Sequence, residues 1–396
     1  MRNIYLRFIL ILMIAVFIFS ACSNFDDENY QTNTQPHGPT EATNQLNPTE
    51  HTEQTKPNSQ PTAPSDSLPN EIEPIETKPI ETEPTIQETM PKDFKITLSF
   101  AGDCTLSNVN ENATWHGFES FAEQNEPSYF LEKVKHVFEA DDFTIVNLES
   151  VLSDRDLPKR DKGEGKAFWF KSKTSNVNIL KEGSVEGVSL ANNHTFDYGE
   201  AGHEDTKEAV LNAGLKYGHD ANIMYFGKDG FTIAVICHGL WYESQANPIV
   251  DLLKEVCEYS DYQIVFFHGG TEGLHYPEDW KIKACHKLID NGADLVIGNH
   301  PHVLQPIETY NGAQIVYSLG NFCYGGHLKP QNRTMIYQMF LTINYETLQV
   351  EKSEQNIIPC YIYTTEYNNY QPAPISDANE IDRVLKFLNW ELELPY

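Results

Sequence analysis

The sequence predicts an α/β fold for residues 93–365, and three observations support this prediction. Eight apolar runs rich in Val, Ile, Phe and Tyr alternate with helix-like segments along this part of the chain. Most of the runs are continuous rather than alternating, which is typical of strands covered on both faces. Polar side chains directly follow several runs, and ligands of α/β sheets bind at the carboxyl ends of strands.

The first 22 residues have the pattern of a bacterial lipoprotein signal peptide. A basic start precedes an apolar run at 8–19, and two small residues precede Cys22. The run is too short to span a bilayer comfortably. We therefore expect lipidation of Cys22 and a membrane-anchored protein outside the cytoplasm. An uncleaved anchor helix is the alternative.

Residues 23–92 are predicted to form a disordered tether. This segment holds 13 acidic residues and three lysines, and no aromatic residue lies between Tyr30 and Phe94. Half of the chain's 22 prolines also fall here. Such a composition cannot bury enough apolar surface to offset the entropy lost on ordering. We expect an extended spacer that holds the following domain away from the membrane.

The predicted elements of the domain alternate along the chain. Strands are expected at 95–101, 143–147, 187–191, 231–237, 263–267, 294–297, 314–319 and 335–343. Helices are expected at 128–140, 175–182, 200–212, 248–258 and 278–291. Residues 366–396 form a C-terminal extension, in which an amphipathic helix at about 378–392 is expected to pack on the outside.

Charge and cysteine content restrict the class of protein. The chain carries a formal net charge of −29, which disfavours nucleic acid or anionic lipid as the main partner. Six of the seven cysteines follow Cys22, without zinc-ribbon spacing and without the density of a disulfide scaffold. We expect buried thiols, with one or two disulfides as the alternative.

Candidate metal ligands and a candidate acid/base stand at the ends of five predicted strands. They are Asp103, Glu149, Asn193, His194, His268, His300 and His302. Oxygen and imidazole ligands without thiolate suit Mn²⁺, Zn²⁺ or iron, and this set could hold one or two ions. Metal ions held there would activate a water or amine nucleophile and stabilise a developing oxyanion.

Each of these residues has a plain structural alternative. Asp103 and Glu149 could cap following helices, and Asn193 could occupy a left-handed turn. A single histidine after a strand is more often a surface residue than a ligand. These alternatives are independent of one another, whereas one metal centre explains all five strand ends. The metal interpretation is therefore favoured.

Six motifs occur in one order between about 95 and 345. They are AGD at 101–103, NLE at 147–149, LANNHTFDYG at 190–199, HGGTE at 268–272, GADLVIGNHPHVLQ at 292–305 and YSLGNF at 317–322. As a set they resemble the CapA-type poly-γ-glutamate capsule-biosynthesis family, whose fold is similar to that of calcineurin-like metallophosphoesterases. The resemblance implies a four-layer α/β/β/α sandwich with a metal centre.

The resemblance also implies roles for individual residues. His194 would assist the leaving group, and Glu149 would stand where phosphoesterases use a bridging aspartate. His300 and His302 match the Gly-His-x-His pair of those enzymes, and His268 matches their intervening histidine.

Two positions depart from the pattern of these families. Phosphoesterases open with Asp-x-His, whereas Asp103 is followed by Cys104 and Thr105. This departure predicts a weaker or differently occupied first metal position. Gly269 stands where the capsule family often has tryptophan, which predicts a more open cleft wall.

Two further features concern substrate contacts. Glu272 is a candidate catalytic residue that orients an imidazole or contacts substrate, with an exposed loop carboxylate as the alternative. A basic patch consists of Lys159, Arg160, Lys162, Lys166 and Lys171. The patch is either simply solvated or receives carboxylates or phosphates of an anionic polymer.

Three functions remain open from the sequence. The first is a surface-anchored metal-dependent hydrolase or transferase of poly-γ-glutamate or a related anionic envelope polymer. The second is a non-catalytic subunit that works with membrane proteins of capsule synthesis and export. The third is an extracellular phosphoester hydrolase. His194 beside Asn193 favours catalysis, whereas the missing Asp-x-His disfavours an ordinary phosphodiesterase.

Overall fold

The computed structural model describes residues 91–109, 117–163, 167–325 and 332–396. All of them belong to one unit, Met90–Tyr396. The predicted signal peptide, Cys22 and almost all of the predicted tether lie outside the described residues. Within the described ranges, no helix combines the length and the apolar character needed to cross a bilayer.

The described residues contain fifteen strands and seven α-helices, numbered here in chain order. The strands are β1 (Asp93–Cys104), β2 (Phe143–Leu148), β3 (Val151–Leu152), β4 (Lys171–Ser172), β5 (Gly187–Ser189), β6 (Lys216–Gly218), β7 (Met224–Lys228), β8 (Phe231–Gly239), β9 (Tyr262–His268), β10 (Leu295–Asn299), β11 (Leu304–Tyr310), β12 (Ala313–Leu319), β13 (Thr334–Asn344), β14 (Val350–Tyr361) and β15 (Ala373–Pro374). The helices are α1 (Phe118–Gln124), α2 (Ser128–Phe138), α3 (Val177–Glu182), α4 (Gly199–Asn212), α5 (Ala246–Val256), α6 (Asp279–Asp290) and α7 (Ala378–Leu388).

Two large sheets form the centre of the domain. The first sheet has the order β15-β14-β13-β1-β2-β5-β6, and the second has the order β11-β12-β10-β9-β8-β7. In the first sheet β1, β2, β5 and β6 are parallel, whereas β13 joins β1 antiparallel. In the second sheet β8, β9, β10 and β12 are parallel. Each sheet therefore brings the carboxyl ends of several strands to one edge.

Alternate side chains of the central strands pack in opposite directions, which fixes the order of the layers. Ile145 of β2 and Ile264 of β9 belong to the core between the two sheets. Val146 faces a second core with α1 to α4, and Val265 faces a third core with α5 and α6. Strands buried on both faces need continuous apolar sequence, as the sequence predicts. The predicted α/β/β/α sandwich is confirmed.

The C-terminal helix α7 is amphipathic, as the sequence predicts, with one exposed face. Val384, Phe387 and Leu388 are fully buried in the core between the two sheets. The helix also ends at Leu388, because the following Asn389 leaves the helical conformation as its C-cap. The amphipathic pattern predicts the helix but not the surface against which it packs. Three residues of α7 thus belong to the central core, whereas the rest of the helix is exposed or half-buried.

The six described cysteines after Cys22 are free thiols. Five are buried and one, Cys257, is exposed. The expectation of buried thiols holds for these five, and the alternative of disulfides among the six is wrong for this structure.

Candidate metal centre

The predicted ligands meet where the carboxyl ends of both sheets converge. Asp103 lies at the end of β1, and Glu149 follows β2 directly. The backbone N–H of Asp103 donates to the carbonyl of Gly320 at 3.1 Å, and that of Phe322 donates to the carbonyl of Asp103 at 2.8 Å. These bonds join β1 of the first sheet to the segment after β12 of the second. The two sheets are therefore held together at the candidate centre.

The joint between the sheets requires glycine at one position. A Cβ at Gly102 would lie 1.7 Å from the carbonyl oxygen of Gly320, which is a steric impossibility without backbone movement. Gly102 therefore allows the close approach of the two chain segments that positions Asp103.

Glu149 is the central acid of the site. Its side chain is fully buried, and neither carboxylate oxygen has a hydrogen-bond partner within the described ranges. The nearest polar atom is Nε2 of His268, at 3.4 Å from Oε1. Buried carboxylates without partners are costly, so this geometry indicates a cation that the carboxylate is built to receive.

A first group of possible ligands surrounds one side of Glu149. Ligand atoms of Glu149, His268 and His300 lie within 4.8 Å of one another. Asn193 adds a neutral oxygen, because its Oδ1 lies 2.8 Å from Nε2 of His268. The alternative of a left-handed turn at Asn193 is not found, since Asn193 is not among the described non-glycine residues with positive φ.

A second group shares Glu149 from the other side. Ligand atoms of Asp103, Glu149 and His302 again lie within 4.8 Å of one another. Nδ1 of His302 lies 3.1 Å from Oδ2 of Asp103, and its Nε2 lies 3.9 Å from Oε1 of Glu149. Neither acid caps a helix in the described part of the chain, because Glu149 is followed by β3 and the helix caps are other residues.

The histidine that phosphoesterases have two residues after their first aspartate is not replaced here by a thiolate ligand. Thr105 stands two residues after Asp103 and is buried. Cys104 lies between them, and its burial, opposed only in part by its hydrogen bond with Cys323, raises the pKa of its thiol to about 12. The thiol therefore stays protonated at neutral pH and is a poor metal ligand. The second group therefore has three possible ligands, which are the carboxylates of Asp103 and Glu149 and the imidazole of His302.

Both histidines after β10 have strained backbones. His300 has φ of 98° and His302 has φ of 58°, in the region that non-glycine residues rarely adopt. Such conformations cost roughly 1–3 kcal/mol each and persist where the surrounding structure imposes them. Here they turn two imidazoles separated by one proline toward the same centre. The strain is consistent with selection for a site rather than for stability.

The charges of the centre are strongly coupled. Burial would raise the pKa of Glu149, but the imidazoles of His302 and His268 outweigh it and lower this pKa to about 2. Burial lowers the pKa of His300 to about 2, and His268 and His302 add to this effect. His300 is therefore a neutral imidazole and Glu149 a carboxylate at neutral pH. These two protonation states suit metal binding. Burial would lower the pKa of His302, but the carboxylates of Glu149 and Asp103 outweigh it and raise this pKa to about 10, so an ion bound there would have to displace a proton from His302.

His194 lies beside the two groups rather than within them. Its Nδ1 lies 2.7 Å from Oδ2 of Asp197, and its Nε2 lies 3.9 Å from Oε1 of Glu149. The ring of Phe170 stacks on the imidazole at a centroid distance of 4.0 Å. Lys162 forms an ion pair with the other oxygen of Asp197. The imidazole is thus fixed with Nε2 directed at the centre.

Trp241 occupies the cleft wall near Gly269. Its ring meets His300 edge-on at 4.7 Å and His268 at 5.8 Å. A Cβ at Gly269 would lie 1.7 Å from the carbonyl oxygen of Leu240, so no larger residue fits there. The cleft wall therefore contains an indole, which Trp241 supplies from the loop after β8 and which does not come from position 269.

Glu272 lies close enough to take part in the site. It is exposed, and one of its carboxylate oxygens lies within 4.8 Å of ligand atoms of His300 and His302. A substrate contact fits this exposed position. Its assignment as a catalytic residue stays a prediction.

Part of the predicted basic patch gathers around one ring, because Lys159 and Lys162 both lie over Trp169. Lys162 is paired with Asp197, and Nζ of Lys171 lies over the ring of Tyr198 at 5.4 Å. Lys159 lies over the ring of Trp169 at 5.2 Å. Arg160 lines a cavity beside the centre. Lys166 lies outside the described residues.

Three residues of the site were not predicted from the sequence. Asn147 donates through Nδ2 to Oδ1 of Asp103 at 2.8 Å, and Asn321 lies 2.8 Å from Nδ1 of His302 through its Oδ1. Trp241 is the third. Asn147 and Asn321 stand at strand ends and inside the quoted motifs, so the strand-end rule could have found them. Nothing in the local sequence distinguishes Trp241 from a core residue.

Comparison with known proteins matches the chain to one family of bacterial proteins. The family described as "Bacterial capsule synthesis protein PGA_cap" matches residues 97–325. This range contains every predicted metal ligand and His194. It covers more than half of the chain.

Individual relatives are more distant. The chain is 30% identical over 254 residues to the PGA biosynthesis protein CapA of Bacillus subtilis (strain 168), covering 59% of this chain and 64% of that protein. It is 27% identical over 321 residues to the capsule biosynthesis protein CapA of Bacillus anthracis, covering 74% and 73%. A solved structure described as a novel phosphatase from Mycoplasma pneumoniae is similar with a TM-score of 0.40 and 17% identity, covering 67% of this chain and 94% of that chain.

Proposed function

The chain belongs to the bacterial capsule synthesis protein family PGA_cap, and from this premise we propose that it is a metal-dependent hydrolase or transferase of a capsule polymer. The proposed substrate is poly-γ-glutamate or a related anionic polymer of the cell envelope. We place the activity outside the cytoplasm, with the chain anchored through a lipid on Cys22. The names of the two Bacillus relatives support the polymer.

The observation that carries the proposal is the environment of Glu149. A fully buried carboxylate without hydrogen-bond partners in the described chain lies between two sets of imidazole and oxygen donors. A protein that needed only stability would replace such a carboxylate by an apolar residue. The donor set has no thiolate and suits Mn²⁺, Zn²⁺ or iron. The residues present therefore fit a centre of one or two ions.

We assign the residues to two positions that share Glu149. Asn193, His268 and His300 would hold one ion with Glu149, and Asp103 and His302 would hold the other. When bound, the ions would polarise the bond to be broken and activate a water or amine nucleophile. The second position has fewer protein ligands because no histidine follows Asp103.

His194 is proposed to move the proton. Asp197, with Oδ2 at 2.7 Å from Nδ1, orients the imidazole so that Nε2 is directed at the centre. Nε2–H would donate its proton to the leaving nitrogen or oxygen as the bond to it breaks. Phe170 prevents the ring from turning away.

A non-catalytic role in capsule synthesis is the second candidate. The specific observation in its favour is Thr105, which stands where phosphoesterases have a histidine ligand. In this alternative the ions would hold the fold or the polymer, and His194 would not affect a reaction rate.

Elemental analysis of the purified full chain in detergent tests the proposal. The experiment compares wild type with His300→Ala/His302→Ala, and with His136→Ala as a control for loss of an exposed histidine. We expect up to two equivalents of Mn, Fe or Zn in wild type and in the control, and a loss of metal in the double variant. One tightly held equivalent would indicate that only the first position is complete. An absence of metal under every loading condition would contradict the proposed enzyme.

A further inference from the structure

A cavity of about 440 Å³ opens beside the candidate metal centre. Its volume lies within the range of roughly 300–1,000 Å³ that is usual for small-molecule sites. Both sheets contribute to its walls, since Asn193 follows β5 and His238 belongs to β8. It is thus a cleft between layers rather than a surface depression on one element.

Two residues are shared by the cavity and the centre. Asn193 lines the cavity and directs Oδ1 at His268, at 2.8 Å from Nε2. Trp241 lines the cavity while its ring contacts His300 at a centroid distance of 4.7 Å. A ligand in the cavity would therefore lie next to any group that reacts at the centre.

Arg160 supplies a positive charge to the cavity. Its backbone N–H donates to the carbonyl of Asp197 at 2.8 Å, and its carbonyl accepts from Nε1 of Trp169 at 2.8 Å. The chain is thus fixed on both sides of this residue. The guanidinium itself has no hydrogen-bond or ion-pair partner among the described residues. Five N–H donors remain available for a ligand.

Among the described residues that line the cavity, Asp220 is the only acidic one, and it contacts histidines rather than Arg160. Oδ1 of Asp220 lies 3.5 Å from Nε2 of His238, and its Oδ2 lies 3.9 Å from Nδ1 of His219. Asp220 thus faces two imidazoles, and no contact joins it to the Arg160 guanidinium. The indole Nε1–H of Trp241 and the amide of Asn193 add further donors.

We propose that this cavity binds an anionic group of the substrate, a carboxylate or a phosphate, adjacent to the bond that reacts at the metal centre. The inference rests on the proposed function of that centre. A guanidinium pairs with either anion in a bidentate manner. The chain as a whole has a net charge of −29 and repels anions. An unpaired cation in a cleft attracts them locally in spite of this repulsion.

The test measures binding to the full chain in detergent after removal of metal by a chelator. Tri-γ-glutamate and inorganic phosphate are titrated separately by calorimetry, so that no metal ion contributes to the affinity. The variants are Arg160→Gln and, as a matched control, Lys159→Gln, which removes the same charge one residue away and does not line the cavity. Far-UV circular dichroism checks that both variants are folded.

We expect Arg160→Gln to weaken binding about tenfold, as for loss of a charge-assisted hydrogen bond, and Lys159→Gln to change it less than twofold. A selective loss for tri-γ-glutamate identifies a carboxylate as the ligand, and a selective loss for phosphate identifies a phosphate. The inference is overturned if wild type binds neither probe, if Arg160→Gln binds like wild type, or if both variants weaken equally. Metal content, measured separately, decides the proposed function independently of this outcome.

Discussion

Asn193 and His194 are adjacent in sequence but take different positions in the site. Asn193 directs its oxygen at His268, whereas His194 pairs with Asp197 and directs only Nε2 at the centre. Under the proposed function these two neighbours would supply a ligand and a proton carrier. The difference gives a test that separates chemistry from metal binding.

We predict that His194→Ala retains metal and loses turnover. Removing a general acid lowers the rate constant by roughly 10²–10⁴-fold, because the leaving group must depart without its proton. Metal content should stay at the wild-type level, since His194 belongs to neither ligand group. Turnover is followed with γ-glutamyl oligomers and phosphodiester probes, with His136→Ala as the control. Unchanged turnover of His194→Ala would leave the non-catalytic role as the better description.

Individual candidate ligands could be predicted from the sequence because they stand at the carboxyl ends of predicted strands, and this position does not depend on distant contacts. Each ligand follows an apolar run directly, so its position relative to the sheet is a local property. Trp241 and Arg160 depend on how loops cross the edge, which sequence periodicity does not encode. The pairing of Asn321 with His302 needs the order of strands in the second sheet.

At the level of elements, the long apolar strands could be predicted, whereas most short strands and strands with little apolar sequence could not. All eight predicted strands overlap observed strands. The twelve-residue β14 was missed because six consecutive residues in it are exposed and polar, which interrupts its apolar sequence. It forms a strand because β13 beside it offers a long row of hydrogen-bonding partners. Tertiary pairing, and not local propensity, determines this element.

The strand starts of the first sheet contain a pH-sensitive contact. Glu186, just before β5, accepts from the backbone N–H of Thr144 at 2.7 Å. Burial raises the pKa of Glu186 to about 7, and the neighbouring carboxylate of Asp141 adds to this effect. The folded state therefore holds a proton at this carboxyl group more tightly than the unfolded chain does.

We predict that the burial of Glu186 makes the domain less stable as pH rises from about 4.5 to about 7. The folded state binds the extra proton, so the free energy of unfolding is greatest below the unfolded pKa and falls as pH rises through the folded pKa. After allowance for solvent screening the loss is about 1 kcal/mol. The free energy of unfolding is measured with urea on the chelated protein at about pH 5 and about pH 8. Its loss between these two pH values should be smaller in Glu186→Gln than in wild type. The exposed Glu258→Gln should behave like wild type, and an equal loss in all three would contradict the assignment.

At the scale of the whole molecule, metal binding is expected to stabilise the fold, because the centre joins the two sheets. A ligand that binds only the native state at about 100 times its dissociation constant adds about 2.7 kcal/mol. For a domain of this size we predict a rise in Tm of about 5 °C or more on loading. Differential scanning calorimetry should find this rise in wild type and in the exposed control Glu366→Gln. Glu149→Gln should lose it, and an undiminished shift would show that Glu149 holds no ion.

The ligands of this centre come from segments far apart in the chain, and this has a consequence for the order of events during biogenesis. Asp103 and His302 are in contact although 199 positions separate them in sequence. In the unfolded chain only His300 and His302 are near neighbours, and a pair of imidazoles is a weak site. An ion therefore cannot act as a template for folding here. If the centre holds an ion as proposed, the polypeptide must close both sheets before it can bind that ion, so metal loading would follow folding.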